Sequence, residues 1–183
     1  MNYMKHFLVL FFDEPANQYL NRICSDLFAS YCSGCDFKPH EHHLTIQYFQ
    51  CEENLYPGLI KQAEKILSDS LPIRIEINAI HEYVNELNNF CCLSLLTRKS
   101  PELVELHNRL TAHIDELHLH HEPSEKWPPH ITCFPGIELK RRPKNWNNNM
   151  VKHLFEEGIP ILNGIELRFT RWTGTHIETI HRF

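Results

Sequence analysis

Two tripeptides of one form, His43-Leu44-Thr45 and His130-Ile131-Thr132, stand one in each half of the 183-residue chain. Each opens a short stretch with strand-like alternation, His43-Leu-Thr-Ile-Gln-Tyr-Phe49 and His130-Ile-Thr-Cys-Phe134. In a β-strand, residues i and i+2 share one face and i+1 takes the other. The spacing therefore predicts an imidazole beside a hydroxyl on one face, with Leu44, Ile46, Ile131 and Cys133 packed behind them. A neutral imidazole accepts a proton from water or a ribose hydroxyl, and an imidazolium returns one to a departing oxygen. Histidine, with an ordinary pKa of about 6.5, is available in both forms near neutrality. Threonine hydroxyls donate hydrogen bonds to phosphate oxygens, whose charge must be held through the reaction. The set suits phosphodiester cleavage, with His43 and His130 catalytic and Thr45 and Thr132 on the phosphate. This chemistry calls for no metal and no cofactor. A single such tripeptide says little, because a histidine in a strand is more often structural; the signal lies in the pair.

The elements that must position these residues also recur. His6 to Phe12 reads as a buried strand, followed by a helix with Pro15 near its start and Leu20, Ile23, Cys24, Leu27 and Tyr31 on one face. The first motif strand comes next, then an amphipathic helix from Leu55 to Leu67, then a period-two strand from Ile73 to Ala79. The second half repeats this order. A strand from Phe90 to Leu96 leads to a helix opened by Ser100-Pro101, and the second motif follows. A helix around Trp146 to Glu156 precedes strands at Ile161 to Phe169 and Thr175 to His181. Internal similarity of this kind, with the same tripeptide at the same place, implies an α+β fold of two pseudo-symmetric lobes. Each lobe is expected to hold an antiparallel sheet flanked by helices, with a central active-site groove. Residues 1–183 read as one domain with interleaved lobes and approximate repeats over 5–80 and 88–170.

The two motif segments, His42-His43-Leu-Thr-Ile-Gln-Tyr-Phe49 and Trp127-Pro-Pro-His130-Ile-Thr-Cys-Phe134, resemble those of the 2H phosphoesterase superfamily, which includes 2′-5′ RNA ligase-like proteins and cyclic phosphodiesterases. That resemblance implies a bilobal fold with both H-x-T pairs in one groove. It also implies activity on 2′,3′-cyclic phosphates, 2′-5′ linkages or cyclic oligonucleotides. Members often carry a basic residue just after the second motif, where Cys133-Phe134-Pro135-Gly136 stands here. By strand parity Phe134 shares the face of His130 and is a candidate to stack a base, as is Trp127. Tyr48 has the opposite parity from His43 and joins them only if its strand bulges.

Composition narrows the partners. A formal charge of −5 argues against a general binder of long duplex and favours a nucleotide, cyclic oligonucleotide or short RNA as substrate. The run Lys140-Arg141-Arg142-Pro143-Lys144 reads as a solvated loop before it reads as a guide for a phosphate backbone. Seven cysteines, an odd number, point to reduced thiols instead of a disulfide framework, and Cys32-Ser-Gly-Cys35 is a lone C-x-x-C. The first apolar run meets Asp13 and Glu14 at once and reads as a strand instead of a leader. No stretch reaches the roughly 18 apolar residues of a membrane span. A cytoplasmic protein without an obligate protein partner is expected. His40, His42 and His43, and His118, His120 and His121, with Glu41 and Glu122, form the competing metal reading; they lack the i, i+4 spacing of a helical zinc motif. Two other readings compete: a viral-type nuclease that degrades cyclic oligonucleotide or 2′-5′ oligoadenylate messengers, and a non-catalytic RNA or nucleotide binder.

Overall fold

Asp13 stops the first strand and starts the first helix. Its carboxylate accepts the Ala16 amide at 2.9 Å, with Pro15 in the first turn, and α1 runs Glu14–Tyr31. Ser100 does the same for α3 (Pro101–Glu116), accepting from the Leu103 amide at 3.2 Å. The structure, a computed structural model, describes residues 5–32, 36–121, 123, 127–134, 136–143, 146, 158, 160–173 and 176–183. The remaining elements are β1 (Lys5–Phe12), β2 (His43–Gln50), α2 (Tyr56–Leu67), β3 (Ile73–Ile75), β4 (Ile77–Asn85), β5 (Phe90–Thr97), β6 (His130–Thr132), β7 (Ile137–Glu138), β8 (Leu162–Trp172) and β9 (Ile177–Arg182). The helix expected around Trp146 to Glu156 lies, apart from Trp146, outside the described residues.

All strand pairs among the described residues are antiparallel and belong to one sheet in the order β3-β8-β1-β2-β6-β5-β4, with β9 also along β8 and β7 also along β5. The α+β expectation holds. The two half-sheets, however, are joined edge to edge through β2 and β6. The repeats also exchange parts. β1 is flanked by β2 and by β8 from the far end of the chain, while β5 is flanked by β6 and by β4, whose start lies in the first repeat. Helices follow suit: Phe28 and Tyr31 of α1 pack on Phe134 just after β6, whereas His107 of α3 reaches the Ile46 carbonyl of β2 at 2.8 Å.

The strand expected over Ile73 to Ala79 is two strands. Ile73–Ile75 pairs with β8 at one end of the sheet, and Ile77–Asn85 pairs with β5 at the other. Seven strands about 4.8 Å apart would hold these ends some 29 Å from each other in a flat sheet. Ile75 and Ile77, two residues apart, cannot be separated by more than about 7 Å. The sheet must therefore curl until its ends meet at Glu76, whose carbonyl accepts the Arg98 amide at 2.8 Å. Period-two alternation continues through such a crossover, so it hides it.

One face of the sheet carries Leu8, Leu10, Phe12, Leu44, Ile46, Phe49, Leu93, Leu95, Ile131, Leu167 and Phe169, and the buried faces of all three helices join them in a single core. Five of the described cysteines are free, and four of these, Cys24, Cys51, Cys91 and Cys133, are buried. Cys32 at the end of α1 is disulfide-bonded, which corrects the expectation of reduced thiols throughout. No helix among the described residues is long and apolar enough to cross a membrane.

Gly164 of β8 has no room for a side chain, since an added Cβ would lie 2.4 Å from Leu10 Cδ2 and 2.7 Å from Leu10 Cγ, and Leu10 is wholly buried. Gly164→Ala is expected to cost about 1–3 kcal/mol of stability through overpacking. Chemical denaturation measures it, and an unchanged midpoint contradicts this packing.

Candidate active site

The two motifs meet at the centre of the sheet. Leu44 of β2 is paired with Ile131 of β6, and both side chains are fully buried. Antiparallel pairing about that point sets His43 across from Thr132 and Thr45 across from His130. All four side chains therefore project from the face opposite the core. Diagonal neighbours in such a pair stand roughly 7–8 Å apart, with their Cβ atoms somewhat closer. Two imidazoles at that separation can reach a single phosphate placed between them.

The segment before each motif is anchored. Asn17 and Asn21, one turn apart on α1, grip the approach to His43: Asn17 Oδ1 accepts the His42 amide at 2.9 Å, and Asn21 exchanges two 3.0 Å bonds with the His40 backbone. Thr97 on β5 donates its amide to the Pro129 carbonyl at 3.0 Å, holding the approach to His130. Trp127 ties the two motifs, its Nε1 donating to the Thr45 carbonyl at 3.0 Å.

His130 Nδ1 lies 2.8 Å from the Pro128 carbonyl, which can only accept. That contact keeps a proton on Nδ1 and leaves Nε2 as the ring nitrogen able to take up or give a proton. His43 is partly buried, with its ring 5.6 Å from that of Phe11. Burial, reinforced by the nearby positive charge of His40, His130 and Arg168 and opposed by Glu41, lowers its pKa to about 4. His43 is thus neutral at physiological pH. His42 points the other way and is buried. Neither of its ring nitrogens has a partner at hydrogen-bonding geometry among the described residues, although the ring lies against the Thr132 backbone. Burial first, then the charge of His40, lowers its pKa to about 4.

Sequence reading missed a cation on this face. Arg168 of β8 sits across from Val9, between the core residues Leu167 and Phe169. Its guanidinium lies 3.6 Å from the Phe11 ring centre, and it binds Glu41 with two 2.6 Å bonds and also Glu166. The Glu41 pair holds that carboxyl below the usual range. Alternation within β8 would have put Arg168 on the polar face; only the pairing of β8 with β1 reveals which site that face serves.

Three stacking candidates fare differently. A bulge in β2 puts Leu8 across from Gln47 and Val9 across from Thr45, so Gln47 turns to the core and donates to Thr111 at 2.8 Å. Tyr48 thereby joins the histidine face, opposite Phe7, with the two rings 5.4 Å apart. Phe134 does not share the face of His130. β6 ends at Thr132, parity lapses, and Phe134 is buried against Phe28 and Tyr31 of α1, out of reach of a base. Trp127 is likewise corrected: it lies on the helix side, its ring stacked 4.0 Å from His107 of α3.

In the basic run, Lys140 pairs with Glu138 at 2.6 Å and Arg142 grips Glu82 at 2.6 and 2.7 Å, next to Tyr31 of α1; Lys144 lies outside the described residues. His118 and His120 line a separate depression with Cys51 and Leu55, and His121 bonds Asp115 at 2.7 Å. Among the described residues, no three His, Cys, Asp or Glu side chains converge to hold a metal ion.

This fold and central motif pair define a class. The chain matches the model of the 2′-5′ RNA ligase superfamily over residues 13–161, and it belongs to that superfamily, within the 2H phosphoesterases. No curated protein sequence matches it. Its fold is similar to TT0787 of Thermus thermophilus, at TM-score 0.65 and 16% identity over 98% of this chain and 97% of that one. It is similar also to E. coli LigT complexed with 3′-AMP, at 0.56 and 12% over 100% and 98%. The MHV ns2 PDE domain gives 0.54 and 16% over 96% and 99%.

Burial of neutral His42 makes stability depend on acidity. An unfolded histidine binds a proton near pH 6.5, whereas folded His42 resists until about pH 4. Between those values the unfolded state holds the extra proton, so stability falls as pH falls, by up to about 1.4 kcal/mol per pH unit for this one group. His42→Phe should flatten the loss seen by urea denaturation between pH 7 and pH 5. An equally steep loss in that variant contradicts the assignment.

Proposed function

We propose that the chain is a metal-independent phosphodiesterase that cleaves 2′,3′-cyclic phosphate or 2′-5′-linked nucleotide phosphodiesters by two-histidine acid/base catalysis. The observation that carries this reading is the Leu44–Ile131 pairing, which sets both H-x-T pairs on one face of one strand pair. Membership of the superfamily agrees with it, as does a neighbour of like fold crystallised with 3′-AMP and with ATP.

His43, neutral in the resting enzyme, accepts a proton from the attacking water or hydroxyl. The new P–O bond forms as the bond to the departing ribose oxygen breaks. That oxygen takes its proton from Nε2 of His130, whose Nδ1 keeps its own proton and donates it in a hydrogen bond to the Pro128 carbonyl. Thr45 and Thr132 donate to the non-bridging oxygens. A bound phosphate places negative charge beside His43 and raises its proton affinity when the proton must be taken. Proton exchange with solvent then resets both imidazoles.

His43→Ala and His130→Ala should each lower kcat by 100-fold or more, the scale of a lost general acid or base, with unchanged circular dichroism. Turnover of 2′,3′-cyclic mononucleotides should survive EDTA. Loss with chelator and recovery with zinc would transfer the chemistry to a metal, and full activity in the double histidine variant would leave only a binding protein. The acid limb of kcat/KM should fall near pH 4, where free His43 gains its proton, and not near 6.5. A limb near 6.5 would contradict a buried base.

A further inference from the structure

The histidine face differs on its two sides. Beyond His43, Phe11 lies under the Arg168 guanidinium, and Arg168 is bound to Glu41 and Glu166, a set filled by its own partners. Beyond His130, the register Leu96–His130, Ser94–Thr132, His81–Ser94 and Tyr83–Cys92 carries the face onto β5 and β4. There it opens into a cavity of about 500 Å³ lined by His81, Tyr83, Phe90, Cys92, Ser94 and Leu96 and bordered by Pro128, His130 and Thr132.

Its chemistry is specific. Among the described residues no Lys, Arg, Asp or Glu lines it, so its walls offer no fixed charge to pair with a phosphate. Tyr83 and Phe90 form an aromatic wall, their rings 5.7 Å apart. Phe90 can lie where it does because Gly136 leaves the space; a Cβ there would fall 2.7 Å from Phe90 Cδ2. On the floor, Ser94 is 5% exposed and lines the cavity, so its hydroxyl is the polar group offered there beside the thiol of Cys92. A serine hydroxyl can both donate and accept, so it can meet either kind of polar edge. Cys92 beside it is a protonated thiol, its pKa pushed up by burial to about 11. A flat, uncharged ring with a polar edge fits such a site, and its neighbours His130 and Thr132 are the residues to which the proposed function gives the phosphate.

We propose that this cavity seats the nucleobase of the substrate, stacked on Tyr83 and Phe90 with its polar edge on the Ser94 hydroxyl, so that the base is gripped only on the His130 side of the phosphate. The inference rests on the phosphodiesterase reading for its orientation, but base binding can be measured without turnover. Base–aromatic stacking is sequence-tolerant, and its loss typically weakens binding by a factor of ten or so. The hydroxyl adds selection among bases by their edges.

The test compares wild-type protein with Tyr83→Ala and Ser94→Ala. Adenosine and the three other common nucleosides are titrated by calorimetry or NMR, and turnover is measured on nucleoside 2′,3′-cyclic phosphates and on base-free ribose 2′,3′-cyclic phosphate. Tyr83→Ala should weaken nucleoside binding about tenfold and lower kcat/KM on nucleoside substrates to match, leaving the base-free substrate unchanged. Ser94→Ala should narrow the differences among the four nucleosides. Equal loss on base-bearing and base-free substrates, or nucleoside binding that both variants leave untouched, overturns the cavity as a base site. Nucleoside binding that follows these variants while no phosphodiester is turned over upholds the cavity and removes the enzyme reading instead.

Discussion

The contact on which the site depends is the pairing of Leu44 with Ile131. It is one position wide, on a β6 strand of three residues, and it is where the two half-sheets become one. Because side chains alternate strictly along a strand, a slip of one residue would send one histidine into the core and expose an apolar side chain in its place. Full burial of Leu44 and Ile131 holds the register hydrophobically. The Trp127 bond to the Thr45 carbonyl and the asparagine pair on α1 hold the approaches from either side.

Exchange of strands and helices between the repeats reinforces the same point. Neither repeat completes its own half-sheet: β4 serves β5 and β8 serves β1. Separation of the halves would therefore strip long strands and uncover the faces of α1 and α3, well beyond the cost of one central bridge. The shared tripeptide hides a difference in surroundings. His43 is enclosed beside Phe11 and Arg168, with its proton affinity lowered by burial, whereas His130 has its Nδ1 fixed by a carbonyl and borders an open cavity. Two copies of one motif stand in two environments, as the proposed acid and base roles require of otherwise equal side chains.

Much of this was legible in the residues. Both motif strands, the caps at Asp13 and Ser100, and the apolar stripes of the three helices follow from local rules that hold wherever the element sits. What escaped reading depends on partners distant in sequence. Alternation through Ile73 to Ala79 is the same whether one strand continues or two strands part at Glu76. Parity assigned Phe134 to the wrong face because β6 stops after Thr132, and it assigned Tyr48 to the core because a bulge leaves no mark in composition. Arg168 was a plain surface arginine until β8 was paired with β1. The cavity on β4 and β5 is built from residues that look unremarkable in a row and acquire meaning only across three strands.

The most direct measurement is a crystal structure with orthovanadate, a mimic of phosphorus during substitution. The account predicts one vanadate on the strand pair, contacted by Nε2 of His43 and of His130, with the hydroxyls of Thr45 and Thr132 on its oxygens. A vanadate touching only one motif, or the two histidines bound to separate ions, would contradict it.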